Sequence, residues 1–170
     1  MEKIFYADKT EYSSVLALKK ILSEYYGIEN ATILRTEHGK PYMENGPYFS
    51  VTHTKNRMYI IVAEQPIGID SESRSRLPFY ETIVNKFSED EQREIQSPQE
   101  FLKHWVAKES AIKFLGSTLA LDLKNFTYVD GKLTYKNEVF PAQLSFLTHE
   151  DYLLCICGAN FYENVEFIAV

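Results

Sequence analysis

Trp105-Val106-Ala107-Lys108-Glu109-Ser110-Ala111-Ile112-Lys113 lies inside a helical pattern that runs from about Pro98 to Leu115. Proline suits the first position of such a helix, and Gly116 is placed to stop it. A helix advances about 100° per residue, so with Trp105 at zero the side chains of Phe101, Ile112 and Leu115 fall within about 80° and form an apolar stripe. Lys108 falls inside that stripe. Glu109 lies about 40° to the other side, and Lys113 follows it one turn later on the same flank. Charges on the core-facing side of a helix need a partner or a ligand. Two readings stand at this level. Either Glu109 and Lys113 form a surface pair while Lys108 snorkels past the core edge, or a carboxylate is flanked by two lysines that receive a phosphate.

Upstream, Ile67-Gly68-Ile69-Asp70-Ser71-Glu72 reads as a strand. Alternation puts Ile67 and Ile69 on one face and Gly68, Asp70 and Glu72 on the other, with the glycine giving a ligand access. Two neighbouring carboxylates either stay hydrated at a strand end or share a cation, and Mg²⁺ prefers a few carboxylates plus phosphate oxygens. With Glu109 the set becomes three acids and two lysines on two elements. A weaker element is Phe49-Ser50-Val51-Thr52-His53-Thr54, whose hydroxyls and imidazole could face an anion. Gly39-Lys40-Pro41 adds a turn lysine of the kind that could reach a phosphate.

The rest of the chain alternates in the same manner. Residues 2 to 7 read as a strand, and Thr10 is placed to cap a helix from about Glu11 to Tyr26, ended by Gly27. Strand-like segments follow at 31 to 36, 48 to 53 and 57 to 63. Phe79 to Phe87 is helical, and Ser88 opens a capping box with Glu91. Phe126–Val129 and Lys132–Tyr135 flank Asp130-Gly131 as a hairpin, with two more strands near 142 to 148 and 152 to 158. The order is that of an α+β fold in two related halves within one domain, about 1–64 and 65–170.

Composition bounds the function. At 45% hydrophobic over 170 residues the chain can bury a real core, and its net charge of −6 argues against nucleic-acid binding. Cys155 and Cys157 read as buried strand thiols rather than a metal pair or a disulfide. No signal peptide or membrane-length apolar run is present, so a cytoplasmic protein is the expectation.

Gly68-Ile69-Asp70-Ser71-Glu72, Phe87-Ser88-x-x-Glu91 and Trp105-x-x-Lys108-Glu109-Ser110-x-x-Lys113, in that order and spacing, resemble the signature of the 4′-phosphopantetheinyl transferase superfamily. Gly39-Lys40-Pro41 and the run from Phe49 to Thr54 are similar to first-half motifs of its surfactin-synthetase-type members, which fold as a pseudo-dimer of two α+β halves related by a pseudo-twofold. Such members carry a longer, basic N-terminal portion that helps to hold coenzyme A. Here only a short strand precedes the first helix, so two expectations stand: part of that grip is missing, or Lys19, Lys20 or Arg35 supplies it.

The resemblance implies an enzyme that moves the phosphopantetheine arm of coenzyme A onto a serine of an apo acyl or peptidyl carrier protein, releasing 3′,5′-ADP. It implies Mg²⁺ on Asp70, Glu72 and Glu109, with Glu109 as general base and Lys113 on the leaving phosphate. Asp70, Glu109 and Lys113 are then the catalytic set. Lys40, Ser50, His53, Lys108 and Lys113 would contact coenzyme A. Arg74, Arg76, Lys103 and Lys113 are expected to form a basic rim for the carrier. A monomer is the simplest state. A non-catalytic relative that binds coenzyme A or a carrier domain, a different magnesium-dependent enzyme acting on a nucleotide pyrophosphate, and a plain interaction module remain alternatives.

Overall fold

The computed structural model describes residues 2–11, 13–54, 56–75 and 80–170. The first part contains β1 (Glu2–Asp8), α1 (Ser14–Tyr26), β2 (Leu34–Arg35), β3 (Pro41–Tyr42), β4 (Tyr48–His53) and β5 (Arg57–Ala63). It continues through β6 (Ile67–Ser73), α2 (Glu81–Val84), α3 (Glu89–Glu94), α4 (Pro98–Leu115) and α5 (Leu119–Asp122). The last part holds β7 (Phe126–Val129), β8 (Lys132–Tyr135), β9 (Glu138–Val139), β10 (Gln143–His149), β11 (Tyr152–Gly158) and β12 (Val165–Ala169).

Two sheets carry the architecture, one ordered β12-β1-β5-β4 and the other β10-β11-β6. They pack on each other through Ile4, Tyr59, Ile61, Ile67, Ile69, Leu154 and Ile156, all fully buried. Alternation along the strands gives each sheet a second apolar face. On the first, Phe5, Phe49 and Ile60 meet Ala17, Leu18, Ile21 and Leu22 of α1. On the second, Cys155 and Cys157 meet Val106, Ala107 and Ala111 of α4. The β7-β8-β9 sheet closes over the far side of α4 through Phe126, Tyr128 and Leu133. Its hairpin turns on Asp130 and Gly131, both at positive φ (49° and 73°) as a two-residue turn of this hand requires.

The expected α+β class holds, and most strands stand where alternation places them. Several boundaries differ for local reasons. Ser13, not Thr10, caps α1, its side chain accepting from the Leu16 N–H, because Asp8 Oδ1 holds the backbone N–H and hydroxyl of Thr10 in a turn. The segment expected at 31 to 36 pairs only at Leu34 and Arg35. The helix expected from Phe79 is the short α2, and Phe79 itself lies outside the described residues. Leu115, placed on the apolar stripe, is 42% exposed at the end of α4, while the helix is buried on nearly every side ahead of it. β12 was not anticipated. It pairs in parallel with β1, so the first sheet takes its outer strand from beyond the division expected near residue 64.

Candidate active site

The site forms where β6 meets α4 and the edge strand β4. Gly68 makes this contact possible: a Cβ there would lie 2.0 Å from the Ser110 carbonyl oxygen and 2.5 Å from the Phe114 nitrogen. The glycine therefore lets the helix backbone sit directly on the strand, and is not the ligand entrance that the sequence suggested. Asp70 and Glu72 project from the same face of β6, so the close approach brings them beneath the Glu109–Lys113 turn of α4.

Asp70 is 5% exposed. Its Oδ1 accepts from Lys113 Nζ at 2.7 Å and from Thr52 Oγ1 at 2.9 Å. The Thr52 hydroxyl in turn accepts from Ser71 Oγ at 3.4 Å. Asp70 Oδ2 is buried with no hydrogen-bond partner. A buried carboxylate oxygen left in that condition costs free energy unless a donor or a cation reaches it. Glu109 carries the same tension. Burial, then the charge of Asp70, and more weakly that of Glu72, push its carboxyl up to about 7 against the opposing pull of Lys113. Three acids on two elements thus repel one another around one lysine.

Among the described residues no three His, Cys, Asp or Glu side chains already converge as ligands for a metal ion. The donor chemistry nonetheless fits a hard divalent cation. All the donors are carboxylate oxygens, one of them buried and unsatisfied, and the mutual repulsion is of the kind a cation relieves.

The expected coenzyme A contacts divide sharply. His53 stands exposed at the end of β4. Partial burial, Lys9 and Lys113, in that order, hold its imidazole below the usual value, so it is neutral near pH 7. Lys9 is thus a third basic group at this mouth. Sequence reasoning passed over it because only the β1–β5 and β4–β5 pairings bring the turn after β1 beside the end of β4.

Three other expected contacts are engaged by the protein itself in this structure. Lys108 is 0% exposed, and its ammonium binds both oxygens of the equally buried Glu91 at 3.0 and 2.9 Å. It also sits 4.0 Å from the Phe87 ring centroid. Glu91 is further engaged by the Ser88 N–H and the Tyr128 N–H, so the pair ties α3, α4 and β7 together and has no route to a ligand. Ser50 is buried and accepts from the Ile69 N–H at 3.0 Å, joining the two sheets at their edge. Lys40 points its ammonium at the carbonyl oxygens of Lys113 (2.5 Å), Phe114 (3.3 Å) and Ile67 (3.4 Å), where it serves the C-terminus of α4. Arg35, a candidate for the coenzyme A grip, instead donates to the Gly39 carbonyl at 2.8 Å. Of the expected basic rim, Lys103 lies 5.2 Å from the Phe146 ring centroid, Lys113 is engaged by Asp70, and Arg76 is outside the described residues.

Comparison with known proteins finds the same segment. The profile of the 4′-phosphopantetheinyl transferase superfamily matches residues 66–157, which include β6, α4 and every acid of the site. A 4′-phosphopantetheinyl transferase of Aneurinibacillus migulanus is 28% identical over 129 residues, 69% of this chain and 54% of its own length. The chain therefore spans about half of that relative. The Bacillus subtilis 4′-phosphopantetheinyl transferases ffp and Sfp are 27% and 25% identical, each over 96% of this chain and 80% of theirs.

Proposed function

Because the chain belongs to the 4′-phosphopantetheinyl transferase superfamily, we propose that it moves the 4′-phosphopantetheine arm of coenzyme A to a serine hydroxyl of an apo acyl or peptidyl carrier protein. The serine oxygen forms a bond to the phosphorus that bears the pantetheine arm. The bond from that phosphorus to the bridging pyrophosphate oxygen breaks, and 3′,5′-ADP leaves with the electron pair.

The observation that supports this reading best is the Asp70–Glu109–Lys113 constellation. It holds an unsatisfied buried carboxylate oxygen, a carboxyl poised near neutrality and an ammonium, all at one strand–helix contact. Phosphoryl displacement asks for positioning and charge neutralisation rather than a covalent enzyme intermediate. Asp70, Glu72 and Glu109 are the residues that would hold Mg²⁺, whose contribution there is neutralisation of pyrophosphate oxygens. Glu109 takes the serine proton, directly or through a water. Lys113 exchanges its bond to Asp70 for the charge that gathers on the leaving phosphate, and Lys9 and neutral His53 line the approach for the remaining phosphates. The setting is the cytoplasm and the active unit a monomer.

The test is mass spectrometry of an apo carrier protein incubated with the protein, coenzyme A and Mg²⁺. A gain of one phosphopantetheine on the carrier serine is the expected result. It should fall by two orders of magnitude, roughly, in Asp70→Asn, the scale on which transition-state charge stabilisation is lost. No gain with any carrier class, at protein concentrations that bind coenzyme A, leaves a binding protein without transfer.

A further inference from the structure

Lys113 and Thr52 both donate to Oδ1 of Asp70, and Oδ2 receives neither. This asymmetry fixes an orientation. The last torsion of an aspartate side chain is broad and nearly twofold, so a carboxylate does not present one particular oxygen unaided. Two donors converging on the same oxygen remove that freedom and leave Oδ2 as the oxygen available to a cation. The donors are not equivalent. Lys113 reaches Asp70 on a long side chain that is 29% exposed, and in the transfer reading it leaves for the charge on the departing phosphate. Thr52 is buried and β-branched, so its side chain is confined to few rotamers. Ser71, equally buried, donates to Thr52 Oγ1, and this commits the single Thr52 hydroxyl proton to Asp70.

The strand that carries Thr52 is held in place as well. Ser50 and Thr52 share a face of β4 by alternation, and Ser50 accepts from the N–H of Ile69, the residue before Asp70. Side chains at two successive positions of that face therefore join β4 to the acid strand. His53 alternates to the opposite side and is exposed. The Thr52-His53 pair thus divides, with the imidazole at the approach and the hydroxyl turned inward onto the acid.

We propose that Thr52, backed by Ser71, is the positioning residue of Asp70, keeping Oδ2 presented to the cation when Lys113 lets go of Oδ1. The proposal rests on the transfer reading for the cation and for the departure of Lys113. Thr52 itself touches neither the reacting phosphorus nor the serine; it acts through the carboxylate it holds.

The test is a titration with Mn²⁺, whose free form is counted by electron paramagnetic resonance, in the presence of coenzyme A and without a carrier protein. Thr52→Val keeps the branched shape and removes the hydroxyl, and it should weaken Mn²⁺ binding about tenfold or more, the scale on which groups that orient a metal ligand act. Thr52→Ser keeps the hydroxyl and should restore most of the affinity. In a Lys113→Met background the loss caused by Thr52→Val should be larger than in the otherwise unaltered protein, because no donor then remains on Oδ1. Coenzyme A affinity in chelator, measured by calorimetry, should be unchanged by Thr52→Val, and in the transfer assay kcat should fall while KM for coenzyme A holds. Should Thr52→Val fail to fold, Thr52→Cys carries the test, since a thiol is a weak donor of similar size. Mn²⁺ affinity equal to wild type in whichever variant folds overturns the proposal. So does a loss that Thr52→Ser fails to restore, which makes Thr52 a packing residue, or a loss no larger in the Lys113→Met background. A fall in coenzyme A affinity in chelator overturns it too, and makes the hydroxyl a phosphate contact. Mn²⁺ affinity that follows the hydroxyl in a protein that transfers nothing upholds the positioning role and removes the transfer reading instead.

Discussion

The carboxyl of Glu109 shows what a site costs the fold that carries it. Its folded pKa, about 7, stands above the ordinary 4.5. The native state therefore holds this proton more tightly than the unfolded chain does. Below pH 4.5 the group is protonated in both states and costs nothing. As pH rises through the interval from 4.5 to 7, the native state must give up the proton against burial and the charges of Asp70 and Glu72, and stability falls by up to about 3 kcal/mol. Glu109→Gln removes this penalty. The metal-free variant should melt higher than the metal-free wild type at pH 8, and the difference should vanish near pH 4, while transfer is lost. Calorimetry in chelator across that range is the measurement. A melting difference that does not grow with pH would show that the carboxyl is not under electrostatic stress. The residue scale is also where the sequence misleads most. Lys108, Glu109 and Lys113 sit within six positions, yet the first is sealed against Glu91 and only the other two face the site. Helical angles place Lys108 correctly on the core side. They say nothing of whether its partner is a ligand or an acid seventeen residues earlier.

At the scale of elements, the catalytic geometry depends on how near α4 lies to β6, and Gly68 sets that distance. A methyl group there meets backbone atoms of the helix, not the movable end of a side chain. Gly68→Ala must therefore lift the helix or shift the strand. Overpacking of this kind typically costs 1 to 3 kcal/mol, roughly, and here it should fall on the site directly, because Glu109 and Lys113 ride on the displaced helix. The expected result is a drop in turnover beyond what the unfolded fraction explains, measured at a temperature where circular dichroism shows the variant folded. Turnover per folded molecule equal to wild type would mean that the close approach serves stability alone. Elements whose signals are local were legible: the period-2 strand β6, the capping box at Ser88 and Glu91, and the glycine stops at Gly27 and Gly116. β12 was not, because Val165–Ala169 becomes a strand only by pairing with β1, some 160 residues earlier. The purpose of Gly68 was equally hidden, since a glycine that admits a ligand and one that admits a helix look alike in a sequence.

At the scale of the whole molecule, the site spans parts of the chain far apart in sequence, and the contacts that join them are polar. Ser50 bridges β4 to β6, Thr52 reaches Asp70, and Lys40 carries the Gly39–Pro41 turn onto the last turn of α4. Lys40 has the widest reach of the three. Its ammonium is half withdrawn from water, and that burial depresses its pKa, yet three carbonyl oxygens compensate it. Two of these belong to the C-terminus of α4, where a cation is favoured by the helix dipole by about 0.3 to 1 kcal/mol, rising toward 2 kcal/mol when partly buried. A lysine placed here to grip a phosphate and a lysine placed here to hold the two parts of the fold together make opposite predictions for Lys40→Met. The structural role predicts lower stability by roughly 1 to 2 kcal/mol, on the same helix-terminus scale. It also predicts faster amide exchange at both the 39–42 turn and the end of α4, with coenzyme A affinity changed less than twofold once folding is complete. The phosphate role predicts an affinity loss of tenfold or more, reduced salt dependence of binding, and unaltered exchange. Hydrogen exchange and calorimetric titration on one variant separate the two. Coupled exchange at segments more than seventy residues apart is the outcome that a surface lysine cannot produce.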